Sequence, residues 1–437
     1  MQARRSVLFL VSSLGFGLSG CGSAVEGVAE EAVPTNDLVQ RVKDPTELAR
    51  MQQHLDSLYD TKDVRHHFQS PDGDDIDCVD LYRQPALRQP GMESHVIQFA
   101  PSTFPKELDE APTGPAVADA RQPAQAELAF SLDATGAVQR CPQGTIPILR
   151  VTLDTLKRFK SLEDFRSKVP SHLSGDALRA GSTALHQYAA YRQTVDNLGA
   201  ESALNVWNPA VEVASEFSLS QIWVARGSGA DTETVEGGWQ NYRNLYGDNN
   251  SRLFIYFTPD NYGSGGCYNL TCAGFVQTDT SIVIGSSFTN YSASGGAQHE
   301  IKLFWFKDGT AGNWWLRVGT TWVGYYPRTK FDANGIADKG GRVTFGGEII
   351  NNQTAGRHTH TDMGSGAFAA QGWQQAAYQR QIQYVDTANV YRSPASLSAI
   401  TTDSFCYDSS AVANDTSAGG WGRYFYFGGS GYNANCT

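Results

Sequence analysis

From His186 to the C-terminus the sequence is a succession of short alternating apolar and polar runs, each closed by a turn signal. The runs fall at 203–206, 216–224, 234–240, 252–257, 274–277, 281–284, 299–307, 313–318, 321–326, 342–349, 381–385 and 424–427. Gly247-Asp248-Asn249-Asn250, Gly263-Ser264-Gly265-Gly266, Gly295-Gly296 and Lys307-Asp308-Gly309 separate some of them. A period of two sends successive side chains to opposite faces, so each run has one face to bury. Regularly spaced strands with such turns predict an antiparallel β-sandwich or barrel. A parallel sheet would need sustained helix–strand alternation, which is missing, and no internal repeat stands out. Composition agrees: 44 glycines and 11% aromatics accompany only 18% charged residues, below the usual quarter.

The N-terminal part differs, and 437 residues leave room for more than one domain. Arg4, Arg5 and the apolar stretch 7–17 read as a signal peptide over 1–20, too short to span a membrane. It ends in Leu18-Ser19-Gly20-Cys21, which resembles a bacterial lipobox and predicts a lipid on Cys21; the alternative is an ordinary signal peptide. An acidic, polar tether follows over 21–60, with a helix expected at 45–59. Residues 61–177 mix Pro- and Ala-rich spacers with strand-like runs at 95–99 and 127–132. A helical stretch at 152–168 carries Leu153, Leu156, Phe159 and Leu162 at near-helical spacing. Residues 171–185 are rich in Ser, Gly and Ala, a composition suited to proteolytic nicking. The expectation is an all-β domain over 178–437, preceded by a mixed α/β segment, in an exported chain that touches the membrane only through Cys21.

A net charge of −11, with 34 Lys and Arg and no basic stripe, argues against nucleic-acid binding. Setting Cys21 aside leaves Cys78, Cys141, Cys267, Cys272, Cys406 and Cys436. An even remainder in an exported chain reads as disulfides; proximity in sequence favours 78–141, 267–272 and 406–436 among the fifteen pairings. No Cys-x-x-Cys occurs, and His358 and His360 have no evident third ligand, so no metal is expected.

The usual nucleophile, zinc and dinucleotide motifs are missing, and Met363-Gly364-Ser365-Gly366-Ala367 only superficially resembles a nucleophile elbow. Two glutamates stand out instead. Glu236 lies in Thr234-Val235-Glu236-Gly237-Gly238-Trp239-Gln240 and Glu348 in Phe345-Gly346-Gly347-Glu348-Ile349-Ile350. Both are expected on strands beside paired glycines, and glycine within a strand marks a bulge or a close backbone approach. Alternation places Thr234, Glu236, Gly238 and Gln240 on one face, with Val235 and Trp239 turned to the core. Glu216, Glu233 and Glu300 read as solvated or partly buried strand residues, Glu300 sharing an outer face with Lys302.

At these residues the chain resembles the neprosin family. The matching blocks include Asn205-Val206-Trp207-Asn208-Pro209, the run from Glu216 to Val224, Val235-Glu236-Gly237-Gly238-Trp239-Gln240, Gly266-Cys267-Tyr268-Asn269-Leu270, Gly312-Asn313-Trp314-Trp315, Gly346-Gly347-Glu348 and Tyr424-Phe425-Tyr426-Phe427-Gly428-Gly429. The segment 141–150 is similar to the end of the family's activation peptide. The resemblance implies a β-sandwich glutamic endopeptidase made as a zymogen, with 61–177 as activation peptide, cutting after proline at acidic pH. It implies Glu236 and Glu348 as the catalytic pair, with Gly237 where many relatives carry Ala. Gln240 becomes a candidate to hold the oxyanion, and Trp223, Trp239 and Tyr256 candidate aromatic walls for a proline ring.

Two neighbouring carboxylates share one proton, so one can activate water while the other donates. That chemistry needs no cofactor, and a fixed Arg or Lys buried against either carboxylate would defeat it. The expected partners are proline-containing peptides and the chain's own pro-segment. A β-sandwich glycoside hydrolase or a carbohydrate-binding module is the alternative.

Overall fold

The computed structural model describes residues 38–107, 121–128, 139–168, 186–353, 356–417 and 420–437. The signal peptide, Cys21 and the whole 171–185 loop lie outside them. Among the described residues no helix is long and apolar enough to cross a membrane.

Two antiparallel sheets face each other. The strands that matter for function are β1 (His186–Asn197), β2 (Ser218–Arg226), β3 (Glu233–Asn241), β4 (Arg252–Thr258) and β5 (Gly340–Ile350). They form one sheet in the order β4-β3-β2-β5-β1, extended by Cys267–Tyr268 beside β4 and Ser398–Thr401 beside β1. The second sheet is built around His299–Lys307, Gly199–Asn205, Ala377–Val385 and Gly422–Gly428. Ile222, Val224, Val235, Trp239, Ile255, Val343 and Phe345 point inward from the first sheet, against Leu204, Leu303, Trp305 and Phe425 of the second. The predicted sandwich is therefore present, and its core follows the two-residue period read in the sequence.

The other face of the first sheet is also buried. Leu219, Trp223, Phe254, Tyr256 and Ile350 carry a second apolar cluster with Met51, Leu156, Phe159, Leu162 and Phe165 from the N-terminal part. That part contains a helix, α1 (Pro45–Leu58), which Asp44 caps by accepting from the Thr46 amide. It also contains a three-stranded antiparallel sheet of Val64–Gln69, Asp75–Asp80 and Thr145–Leu149. The helix expected over 152–168 is broken into Leu153–Leu156 and Leu162–Arg166, each with its own hydroxyl cap, Thr152 and Ser161.

The disulfides are Cys78–Cys141, Cys267–Cys272 and Cys406–Cys436, the pairs that proximity favoured. Other expectations fail locally. Residues 281–284 form no strand, because Asp279 accepts from the amides of Ser281 and Ile282 and closes a turn. Residues 95–99 form none either. The twelve-residue β1 went unrecognised, since its burial does not alternate cleanly. Glu300 is not a surface residue: it is buried, accepts from both Arg380 and Tyr378, and lies where Ala124–Gln125 pairs with its strand.

Candidate active site

Glu236 and Glu348 come from β3 and β5, which flank β2, and both point to the face covered by the N-terminal part. Strand register puts Glu236 opposite Trp223 and Glu348 opposite Leu219, with Gln221 between these two rows. Gln221 itself lies between Gly238 and Gly346, which carry no side chain. Each glycine is required by its neighbour: a Cβ on Gly238 would fall 1.9 Å from the Ser220 carbonyl oxygen, and one on Gly346, whose φ is +142°, 2.5 Å from the Ala189 carbonyl oxygen. The glycine signal read in the sequence therefore reports close strand approach, which leaves Gln221 alone between the two carboxylates.

Each carboxylate is buried and held. Glu236 Oε1 accepts from Thr234 Oγ1 at 2.8 Å and from the Tyr262 hydroxyl at 2.7 Å. Glu348 Oε2 accepts from Gln221 Nε2 at 3.1 Å, and its Oε1 lies 2.5 Å from His186 Nδ1.

The remaining contacts go to one cation. Lys168 Nζ lies 2.6 Å from Glu236 Oε2 and 2.8 Å from Glu348 Oε2, with all three side chains at most 2% exposed. Those two oxygens are thus at most 5.4 Å apart, the two contacts laid end to end. Lys168 also sits 5.4 Å from the centre of the Trp223 ring. Burial alone would lower the lysine, but the two carboxylates overcome this and raise it. Burial likewise pushes Glu348 up, yet Lys168 and His186 win and hold it at about 2. A buried cation between the carboxylates is the arrangement that defeats shared-proton chemistry, and Lys168 imposes it while it remains in place. It belongs to the 61–177 segment and is separated by seventeen residues from the next described one, His186.

The other sequence candidates separate. Trp223 lines this pocket. Tyr256 is fully buried opposite Glu236 and stacks on Tyr262 with ring centres 5.9 Å apart. Trp239 is on the opposite face, in the inter-sheet core, where its indole donates to the Asn205 carbonyl; it cannot wall the pocket. Gln240 is buried and donates to the Tyr268 hydroxyl at 3.4 Å, with no hydrogen bond to either glutamate. The glutamine that meets Glu348 is Gln221. It lies in a run already read as a strand, but no spacing rule links it to a glutamate 127 positions away. His186, Tyr262 and Lys168 were missed for the same reason. Thr234 was placed on the carboxylate face by alternation alone. The one grouping of metal-ligand types among the described residues, His358 with Cys406 and Cys436, has both sulfurs in a disulfide.

The family model described as Neprosin matches residues 214–430, which contain both glutamates. The model described as Neprosin activation peptide matches residues 67–192, which contain Lys168 and His186. Among solved structures, scytalido-glutamic peptidase with a peptide-based transition-state analogue aligns at 11% identity over 55% of this chain and 97% of its own, with a TM-score of 0.29. SCP-B, a member of the eqolisin family of peptidases in complex with the tripeptide Ala-Ile-His, aligns at 10% identity over 56% and 97%, with a TM-score of 0.28. CG-16, a homodimeric agglutinin from chicken liver, aligns at 9% identity over 37% and 93%, with a TM-score of 0.20. Overlaps this loose carry no argument about the present chain.

Proposed function

The chain belongs to the neprosin family, and from that premise we propose that it is a glutamic endopeptidase made as an inactive precursor, cutting after proline at acidic pH. Glu236 and Glu348 are its catalytic pair and Lys168 is the group that silences them. One observation supports this above the others: a cation from the activation segment is buried between the two carboxylates, within 2.8 Å of each.

Removal of Lys168 leaves two carboxylates too close to ionise independently, so one proton is shared between them. The ionised glutamate takes a proton from water, whose oxygen adds to the scissile carbonyl carbon. The protonated glutamate donates to the carbonyl oxygen; the first glutamate then passes the proton it took from water to the leaving nitrogen, and the C–N bond breaks as the adduct's hydroxyl returns its proton to the second. Thr234 and Tyr262 hold Glu236, and Gln221 and His186 hold Glu348, so both carboxylates are pre-positioned. The chain is exported on a lipid at Cys21, and cutting within 171–182 separates the catalytic domain from that anchor.

The test is a panel of proline-containing peptides incubated with acid-treated protein from pH 3 to 7. Cleavage after proline, strongest at the acid end and lost in Glu236→Gln and Glu348→Gln, is the expected result. Wild-type cleavage by either variant overturns the pair; activity on polysaccharides with none on peptides overturns the peptidase reading.

A further inference from the structure

Beyond the two glutamates the same face continues into a second polar cavity of about 90 Å³. Tyr188, Trp223, Thr234 and Tyr262 form the wall it shares with the carboxylate pocket. Its far wall contains Arg192 and Arg342. Register gives the direction: Glu236, Trp223 and Thr344 form one row across the sheet, and Thr234, Ala225 and Arg342 the next. Arg192 lies beside Thr344 on β1.

Both guanidiniums are tethered to uncharged oxygens. Arg192 Nε donates to Thr344 Oγ1 at 3.2 Å, and Arg342 Nη1 donates to the Gly227 carbonyl at 2.6 Å. Among the described residues no carboxylate pairs with either. Burial and the charge of Arg192 both lower Arg342, the mark of two cations facing each other without a counter-charge. Elsewhere on the strands Arg380 is neutralised by Glu300, and Arg252 by Asp74 and Asp248. Arg192, exposed, and Arg342, partly buried, have no such partner among the described residues, and on a cavity that shares Trp223, Thr234 and Tyr262 with the surroundings of the candidate pair they leave room for an anion with bidentate geometry.

We propose that Arg192 and Arg342 form a substrate subsite that selects an anionic group, an acidic side chain or a free C-terminal carboxylate, near the scissile bond. The subsite rests on the reading that this face holds a peptide. Arg342 is one row along the sheet and two strands across from Glu236, and an extended peptide rises roughly 3.3 Å per residue. The anion is therefore about two to four residues from the bond that is cut.

The experiment walks cysteic acid, whose sulfonate stays ionised in acid, through a proline-containing peptide from four residues before the scissile bond to four after it. An asparagine peptide is the partner at each position. At one position the sulfonate peptide is expected to show roughly tenfold higher kcat/KM, the scale of a hydrogen bond to a charged group. The ratio should fall towards one in Arg192→Gln and Arg342→Gln and invert towards lysine-bearing peptides in the doubly reversed Arg192→Glu/Arg342→Glu. A purely structural role would not invert it. Cleavage with no preference at any position overturns the subsite and leaves the peptidase reading intact. If no peptide is cut, that reading fails, and calorimetric titration of the sulfonate peptide into the full chain decides the subsite. Binding lost in the arginine variants keeps it, and absence of binding overturns it.

Discussion

Lys168 and Glu216 show how burial sets the charge of single residues in this molecule. Removing one partner of a buried ion pair leaves an uncompensated charge and costs about 3–5 kcal/mol. Lys168→Met should therefore loosen the activation segment and speed maturation at a fixed acid pH at least tenfold, followed as the decay of the full-length band; an unchanged rate would mean that the lysine is not the lock. Glu216 is buried and accepts from Thr359, Thr361 and the Asn352 amide, yet desolvation outweighs these bonds and pushes it up to about 7 from an ordinary 4.5. A raised carboxyl means that the fold binds the proton more tightly than the unfolded chain does. The stabilising contribution is then complete below about 4.5 and is lost as pH rises through about 7. Glu216→Gln should raise the melting temperature at pH 7 by a few degrees, about 1–3 kcal/mol of relieved burial, and have little effect at pH 4. Equal shifts at both pH values would refute the assignment.

Strand β5 brings Glu348 to the pocket, and its geometry depends on Gly346, whose positive φ and contact with Ala189 leave no room for a side chain. β5 is paired on both sides, to β2 and β1, so it cannot shift away. Gly346→Ala should destabilise the domain by about 2–4 kcal/mol through strain and overpacking. Thermal unfolding measures this, and an unaltered melting point would show that the strand can adjust. The two helices around Lys168 are the opposite case. Each is only four or five residues long, too short to persist without tertiary packing. They hold Leu156, Phe159 and Phe165 against the sheet, which is what carries the lysine to the glutamates.

Across the whole molecule the activation segment and the sandwich are interlocked without a covalent cross-link. Cys78 and Cys141 both lie before Lys168, and the other two disulfides both lie after His186. One cut between those positions leaves two chains joined only by packing and polar contacts, among them Arg252 with Asp74. The Lys168 contact weakens in acid. Glu348, held at about 2 by Lys168 and His186 against the burial that pushes it up, stabilises the closed state above about 4.5 and stops doing so as pH falls towards 2. A nicked chain should therefore co-elute as one particle at neutral pH and separate in that acid window on size exclusion. Separation at pH 7, or none at pH 2, would contradict this coupling.

The sequence by itself determined the antiparallel sandwich, because a two-residue apolar period repeated between turn signals can be buried in few other ways. It also marked the disulfide pairs and, through paired glycines and family resemblance, Glu236 and Glu348. It could not give the pocket around them. Gln221, Tyr262 and His186 reach the carboxylates from three different segments, and their meeting is fixed by strand order and register, which local pattern does not encode. The same holds for Glu300, whose burial depends on a segment that pairs with it from 175 positions away; Trp239 is the opposite case, since alternation alone placed it in the core. Only the tertiary structure decided that a lysine from the N-terminal part sits between the two acids. Charge and proximity act through space, and the chain that separates Lys168 from Glu236 and Glu348 carries no record of it.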